Sequence, residues 1–263
     1  MKARIRATLK WTNGPLIMLC LALSAVSAFG QKPPAPAIGK ETQALVDSGQ
    51  VAVEQGRYDD ALRAFNKAFI LANRIPQTAA LIQVRIGNVY MIQRKLEAAS
   101  ASFQRAIALD PHYALAQNNL GEVFGETRQY NRALETFNKA IVLDPQLSRA
   151  RYNIGITYTR MGNLKYAEFV FRVLVRERPE YDLGFDGLAV TIARAGRPRE
   201  AIPFHQKAVA LNPQEPSYYY NLGLSYLMAG DTAKVGEQQQ RLLKFAPEMA
   251  DRLASAIVKR GMR

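Results

Sequence analysis

His112 and His205 are the only imidazoles in the chain, and Cys20 is the only thiol. An imidazole or thiolate does chemistry only with partners: a base beside a nucleophile, a carboxylate behind a histidine, or further ligands around a metal. Those partners are missing. The two histidines lie 93 residues apart and neither has a cysteine nearby. No HExxH, CxxC or GxSxG spacing occurs, nor a glycine loop that would cradle phosphate. The sequence DPH at 110–112 reads as a helix terminator with a solvated histidine. Asp59-Asp60 reads as a helix start, where the positive end of the dipole favours carboxylates. This inventory predicts no catalytic residue, no metal site and no cofactor, and therefore a protein that is not an enzyme. A single cysteine also rules out a disulfide within one chain.

The elements that carry the remaining polar residues are set by a repeat. Prolines fall at 111, 145, 179, 213 and 247, always 34 apart. Glycines at 87, 121, 155 and 223 keep that period, with Ala189 in the gap. So do alanines at 99, 133, 167 and 201, and Phe103, Phe137 and Phe171, followed by His205. Within residues 114–147, Leu120, Val123 and Phe124 share one helical face. Ala133, Phe137, Ala140 and Ile141 share a second. Asp144-Pro145 closes the second helix, because proline cannot continue one and restricts the residue before it. One such helix pair cannot bury both apolar faces; stacked pairs can.

In period and motif the chain resembles the tetratricopeptide repeat family, whose unit is a 34-residue helix–turn–helix. The resemblance implies an all-α fold: a right-handed α-solenoid of about six units with a C-terminal capping helix. The units fall near residues 42–79, 80–113, 114–147, 148–181, 182–215 and 216–249, with the cap at 250–263. The first unit carries four extra residues around Arg74-Ile75-Pro76. The sixth is irregular, with Val235 and Gln239 where alanine and phenylalanine are expected, which puts its packing in doubt.

The family binds peptides in a concave groove lined by the first helix of each repeat. Carried onto this sequence, the groove positions select Arg85, Asn88, Asn119, Arg149, Tyr152, Asn153, Arg160, Tyr220 and Asn221 as partner-binding residues. Asparagine offers both a donor and an acceptor and can pair with a peptide main chain whatever its side chains. Some family members hold a terminal carboxylate in a clamp of five positions, here Val84, Asn88, Asn119, Arg149 and Asn153. Three match, while valine and asparagine stand where two basic residues are wanted. In the run Tyr218-Tyr219-Tyr220, Tyr219 takes the packing position, Tyr220 is expected in the groove and Tyr218 outside.

The chain has 35 Lys plus Arg against 22 Asp plus Glu, a net charge of +13. Residues 148–181 carry seven basic and three acidic residues. Such patches speed association with anionic partners. The expected partners are proteins or peptides, including acidic ones. No nucleic acid is expected, because no nucleic-acid module appears. Residues 1–14 hold four basic residues and no acid, followed by the apolar PLIMLCLALSAVSAF at 15–29. Fifteen helical residues reach about 22 Å, short of a bilayer core. This reads as a signal peptide over 1–30, with small residues allowing cleavage after Gly30 or after Ala28 and the first favoured, leaving Gln31 as the new N-terminus, then a proline-rich linker over 31–41. It predicts a periplasmic or secreted protein. The alternative is an uncleaved anchor, with membrane contact through that segment and the basic surface on anionic lipid or cell-wall polymer. Cys20 follows the bulky Leu19 inside the apolar run, which does not suit a lipidation site. The expected role is an exported scaffold for envelope assembly, with a weaker resemblance to the repeat proteins that help secretins assemble in type IV pilus systems. The oligomeric state is not specified.

Overall fold

The computed structural model describes residues 39–72 and 74–261. The expected signal peptide, and the linker up to residue 38, lie outside the described residues. The described chain forms helices α1 (Lys40–Glu54), α2 (Tyr58–Leu71), α3 (Pro76–Ile92), α4 (Leu96–Leu109) and α5 (Ala114–Glu126). They continue as α6 (Tyr130–Leu143), α7 (Ser148–Arg160), α8 (Leu164–Glu177), α9 (Asp182–Arg194) and α10 (Pro198–Leu211). The last three are α11 (Pro216–Ala229), α12 (Thr232–Leu243) and α13 (Pro247–Gly261). Each helix packs on its neighbours in sequence, and from α3 to α11 the odd-numbered helices also touch one another. This is the expected all-α solenoid, with every contact local in sequence.

A ring-into-glycine lock closes each early pair. Phe65, Phe103, Phe137 and Phe171 press on Gly49, Gly87, Gly121 and Gly155, where a Cβ would sit 2.5–2.6 Å from the ring. No side chain fits there, so the glycine period is a packing requirement and not a turn signal. The fifth pair swaps both partners: His205 stands for the phenylalanine and Ala189 for the glycine, and both are buried.

The sixth repeat is not left loose. Val235 is buried, and the space over Gly223 is filled by Leu253 of α13, whose Cδ2 lies 2.7 Å from an added Cβ. The terminal helix therefore supplies the knob that Gln239 does not. It begins at Pro247, three residues before the expected boundary at 250, so it caps by packing as well as by polarity. The four extra residues of the first unit extend a helix instead of a loop. Ile75 is extended, Pro76 takes the first helical position, and α3 gains a turn over its counterparts. Lys40 and Glu41, placed in the linker by sequence, already belong to α1. Among the described residues, no helix is long and apolar enough to cross a membrane.

Candidate functional site

The odd-numbered helices α1 to α11 carry the groove positions, and their polar side chains bond from repeat to repeat. Asn119 Nδ2 donates to Asn88 Oδ1 at 2.8 Å. Asn118 Nδ2 donates to Asn119 Oδ1 at 3.1 Å and to Glu122 Oε1 at 2.8 Å. Asn153 Nδ2 donates to Asn118 Oδ1 at 3.0 Å and to Glu122 Oε1 at 2.9 Å. Arg149 Nε closes the chain on Glu122 at 3.0 Å. Three consecutive repeats, carried by α3, α5 and α7, are thus joined by one continuous polar network. The amides are preoriented by each other, which removes most of the freedom they would lose on binding.

Two of the five clamp positions, Arg149 and Asn153, are occupied from within. Glu122 places its own carboxylate against Asn118, Asn153 and Arg149, where a ligand carboxylate would have been expected. Arg160 likewise pairs with Glu126 at 3.0 Å, as does Arg94 from α3's end. Burial works to raise the Glu126 carboxyl, but the hydrogen bonds from Arg160 and Arg94 outweigh it and hold the group below the usual carboxylate range. A depressed folded-state value stabilises the fold above the unfolded pKa and ceases to do so as pH falls through the folded value. Replacing Glu126 with glutamine should therefore lower the melting temperature slightly at neutral pH, where this contribution is present, and flatten the acid limb of a pH–melting curve below about pH 4, where it is already lost.

Further along, Tyr152 lies with its ring centroid 5.8 Å from Phe171 and 6.2 Å from Tyr181. Burial, with Asp186 and Tyr181 nearby, pushes its phenol up to about 12, so it remains a neutral donor. The amide row is interrupted at Gly187, which sits against the Phe171 ring. It resumes at Asn221, whose Nδ2 donates to both oxygens of Asp186 at 3.1 Å. His205 Nδ1 meets Asp186 Oδ1 at 2.9 Å. Arg85 donates from Nη1 to Gln50 Oε1 at 3.1 Å, and Tyr220 lies under the Arg252 guanidinium at 5.0 Å.

One placement is corrected. Tyr218, expected outside, is buried, and its hydroxyl donates to Asp182 Oδ2 at 2.9 Å. Its repeat position is held elsewhere by the buried Ala116 and Ala150, so it faces the neighbouring repeat, with its hydroxyl on an acid of that repeat. Sequence reasoning also passed over Asn118, Glu122, Asp182 and Asp186. Glu122 lies one helical turn after Asn118, the spacing at which such side chains meet, and that signal was available. His112 lies in the turn after α4, its backbone N–H donating to Asp110 Oδ1 at 3.0 Å. Among the described residues, no group of three or more His, Cys, Asp or Glu could hold a metal ion.

Stacked helix pairs with a preorganised polar inner face define a repeat scaffold of the kind that binds other proteins. The chain belongs to the tetratricopeptide repeat family. The family description "TPR repeat" matches residues 87–127 and 129–162, and "Tetratricopeptide repeat" matches 46–83 and 189–250. No curated protein sequence matches it significantly. Among solved structures, it is similar to PilW, a type IV pilus biogenesis factor, with 19% identity and a TM-score of 0.67, covering 82% of this chain and 99% of that one. It is similar to Pseudomonas aeruginosa pilF, with 17% identity and a TM-score of 0.64, over 82% and 98% of the two chains. A tetratricopeptide repeat protein of Parabacteroides merdae matches with 18% identity and a TM-score of 0.66, over 85% and 88%. These likenesses establish the fold.

Proposed function

We propose that this protein is an exported, non-enzymatic scaffold whose groove holds extended segments of partner proteins and so assists assembly of an envelope complex. The observation that carries this reading is the network from Asn88 through Asn119, Asn118 and Asn153 to Arg149. It holds the exposed Asn88 and the half-buried Asn153 in place over the buried Asn118 and Asn119, so that a peptide main chain can pair with the outer two amides without sequence-specific demands. The basic N-terminal run with its apolar continuation supports export. The likeness to PilW, described as a type IV pilus biogenesis factor, supports a role in assembly.

The test is a crosslinking pulldown from intact cells with the tagged full-length chain, its N-terminus sequenced from the same sample. A few stoichiometric envelope proteins are expected, with recovery reduced at least tenfold by Asn119→Ala plus Asn153→Ala. Unchanged recovery in that variant rejects the groove. A start at Gln31 agrees with export and cleavage; an intact start rejects cleavage.

A second reading, an anchored subunit whose basic surface rests on anionic lipid or cell-wall polymer, draws on one observation. Arg149 and Arg160 at groove positions, and Arg94 in the turn after α3, are paired with acids, whereas Lys67, Arg105 and Lys207, at one repeat position of α2, α4 and α10, are exposed and have no ion pair among the described residues. Recovery in membrane or wall fractions, lost at high salt, would favour it.

A further inference from the structure

We propose that the cavity between α10 and the α11–α12 turn is a binding site for an organic phosphate, held by Arg199 and Lys234. It lies among the second helices of the last two repeats, apart from the amide network of α3, α5 and α7, and stands independently of the groove reading. The cavity has a volume of about 610 Å³. A second cavity, of about 450 Å³, shares Arg199 and Ala229 with it.

Comparison with the preceding joint explains why the space is open here. Between α8 and α10 the facing positions are Glu168, Arg172, Arg197 and Glu200. Arg172 meets Glu168 at 2.8 Å and Glu200 at 2.9 Å, Arg197 meets Glu200 at 2.9 Å, and Arg197 also pairs with Glu168. These four side chains form a closed ring of ion pairs across that joint. At the same positions 34 residues later stand Ile202, Gln206, Asp231 and Lys234. Ile202 cannot pair, Gln206 donates to the Tyr226 hydroxyl at 2.9 Å, and no ion pair joins α10 to α12 among the described residues. The start of α12 is also small. Thr232 opens it where Tyr130, Leu164 and Pro198 open the second helices before it, and Ala233 follows where they have Asn131, Lys165 and Arg199.

The cations in this gap are uncompensated. Arg199 of α10 and Lys234 of α12 are exposed, line the same cavity and have no ion pair among the described residues, whereas Arg172 and Arg197 each meet two acids. Lys234 Nζ stands 5.3 Å from the centre of the buried Tyr226 ring, which holds the ammonium at the wall. Asp231 is the one acid in that wall, and its Oδ1 is engaged in capping α12, accepting from the Lys234 backbone N–H at 3.1 Å. Donors therefore reach the cavity from two helices: a guanidinium fork from α10, and an ammonium and the Thr232 hydroxyl from α12. A phosphate monoester suits this set. Its charge of about −1.5 to −2 answers two cations, and its three acceptor oxygens point in different directions, whereas a carboxylate offers two in one plane. The phosphate group fills only part of the cavity, and Ile202, Ala229 and Ala233 give an apolar wall for the group it is esterified to.

The test uses the full-length chain with two forms of the same group. The soluble form is glycerol 3-phosphate, followed by titration calorimetry. The lipid form is phosphatidic acid in vesicles, compared with phosphatidylglycerol vesicles of equal surface charge so that the basic N-terminal residues contribute equally to both. Saturable binding of glycerol 3-phosphate is expected, weakened about tenfold or more by Arg199→Gln plus Lys234→Gln. Lys67→Gln plus Lys207→Gln, which removes cations outside the cavity, should change it less than about twofold. Thr232→Leu keeps both cations but restores the bulk that Leu164 has at the same position, and should weaken binding as much as loss of the charges. All these residues are exposed, so melting curves of the variants should match that of the unaltered chain. Succinate, a dianion with planar ends, should bind about tenfold more weakly than the phosphate. That pattern assigns a soluble ester. A preference for phosphatidic acid vesicles alone, lost in the same variants, assigns a lipid headgroup to the same site. Three results overturn the proposal: no saturable binding to either form, binding that survives Arg199→Gln plus Lys234→Gln or Thr232→Leu, and succinate binding as tight as that of the phosphate.

Discussion

Truncating Phe171 to alanine should lower the unfolding free energy by about 3–5 kcal/mol, the cost of emptying a fully buried phenylalanine site. Its ring has no exposure and lies against two glycines, Gly155 of its own repeat and Gly187 of the next. It therefore joins two repeats as well as closing one. In a solenoid the total stability is close to a sum of repeat terms and nearest-neighbour terms. Loss of this knob removes one of each, so the effect should be larger than truncating Phe103, which meets a single glycine. Urea denaturation gives the magnitude. Hydrogen exchange gives the signature: protection in residues 182–261 should fall below that in residues 76–143. A cost under 1 kcal/mol, or uniform loss along the chain, would reject the double role. The converse change, Gly155→Ala, places a Cβ 2.5 Å from the Phe171 ring and should cost about 1–3 kcal/mol by overpacking. Adding Phe171→His supplies the ring that His205 pairs with Ala189 one repeat later but not its carboxylate, because Tyr152 stands where Asp186 stands there, so the double variant should not recover the loss.

That pairing shows where the sequence was legible and where it was not. The 34-residue registers identified every helix pair, because glycine, alanine, phenylalanine and proline at those positions answer to contacts inside a unit or with the next one along. A local contact repeats whenever the residues do. The groove contacts depend on something else. Asn119 meets Asn88 at a separation of 31 residues, while Asn153 meets Asn118 at 35. Neither is the repeat period, since the partner is chosen by the stagger between adjacent first helices. Periodicity could place each asparagine on the inner face, but it could not say that Asn118 and Glu122 would draw them into one network. Tyr218 fails for the same reason: its hydroxyl reaches Asp182, 36 residues away and in the preceding repeat. The replacement of a missing Phe by Leu253 was also out of reach, because α13 belongs to no repeat and its register over Gly223 is set by packing alone.

Replacing Asp186 with alanine should cost about 2–4 kcal/mol, because it strands the buried His205 on one neighbouring helix and the half-buried Asn221 on another. Asp186 on α9 accepts from Asn221 of α11 through both oxygens and meets His205 of α10 through Oδ1. A carboxylate only accepts, so the His205 proton in this contact is on Nδ1. His205 is buried and has replaced a hydrophobic knob, so it depends on this acceptor as Phe137 depends on its glycine. Asp186→Asn keeps an acceptor for His205 but adds a competing donor facing Asn221, and about half the loss is expected. The same substitution carries a readout that stability alone does not move. Asp186 is one of the charges that raise the Tyr152 phenol to about 12, second to burial. Removing the charge stabilises the phenolate, so Tyr152 in Asp186→Asn should titrate lower than in the unaltered chain. It should still titrate above an exposed tyrosine, because burial remains. Because the chain has twelve tyrosines, the Tyr152 transition is taken as the difference between ultraviolet titrations with and without Tyr152→Phe, in both the Asp186 and the Asp186→Asn backgrounds. A Tyr152 transition that does not move while stability falls would mean that Asp186 acts on the α9–α11 joint alone and does not shape the field at the centre of the groove.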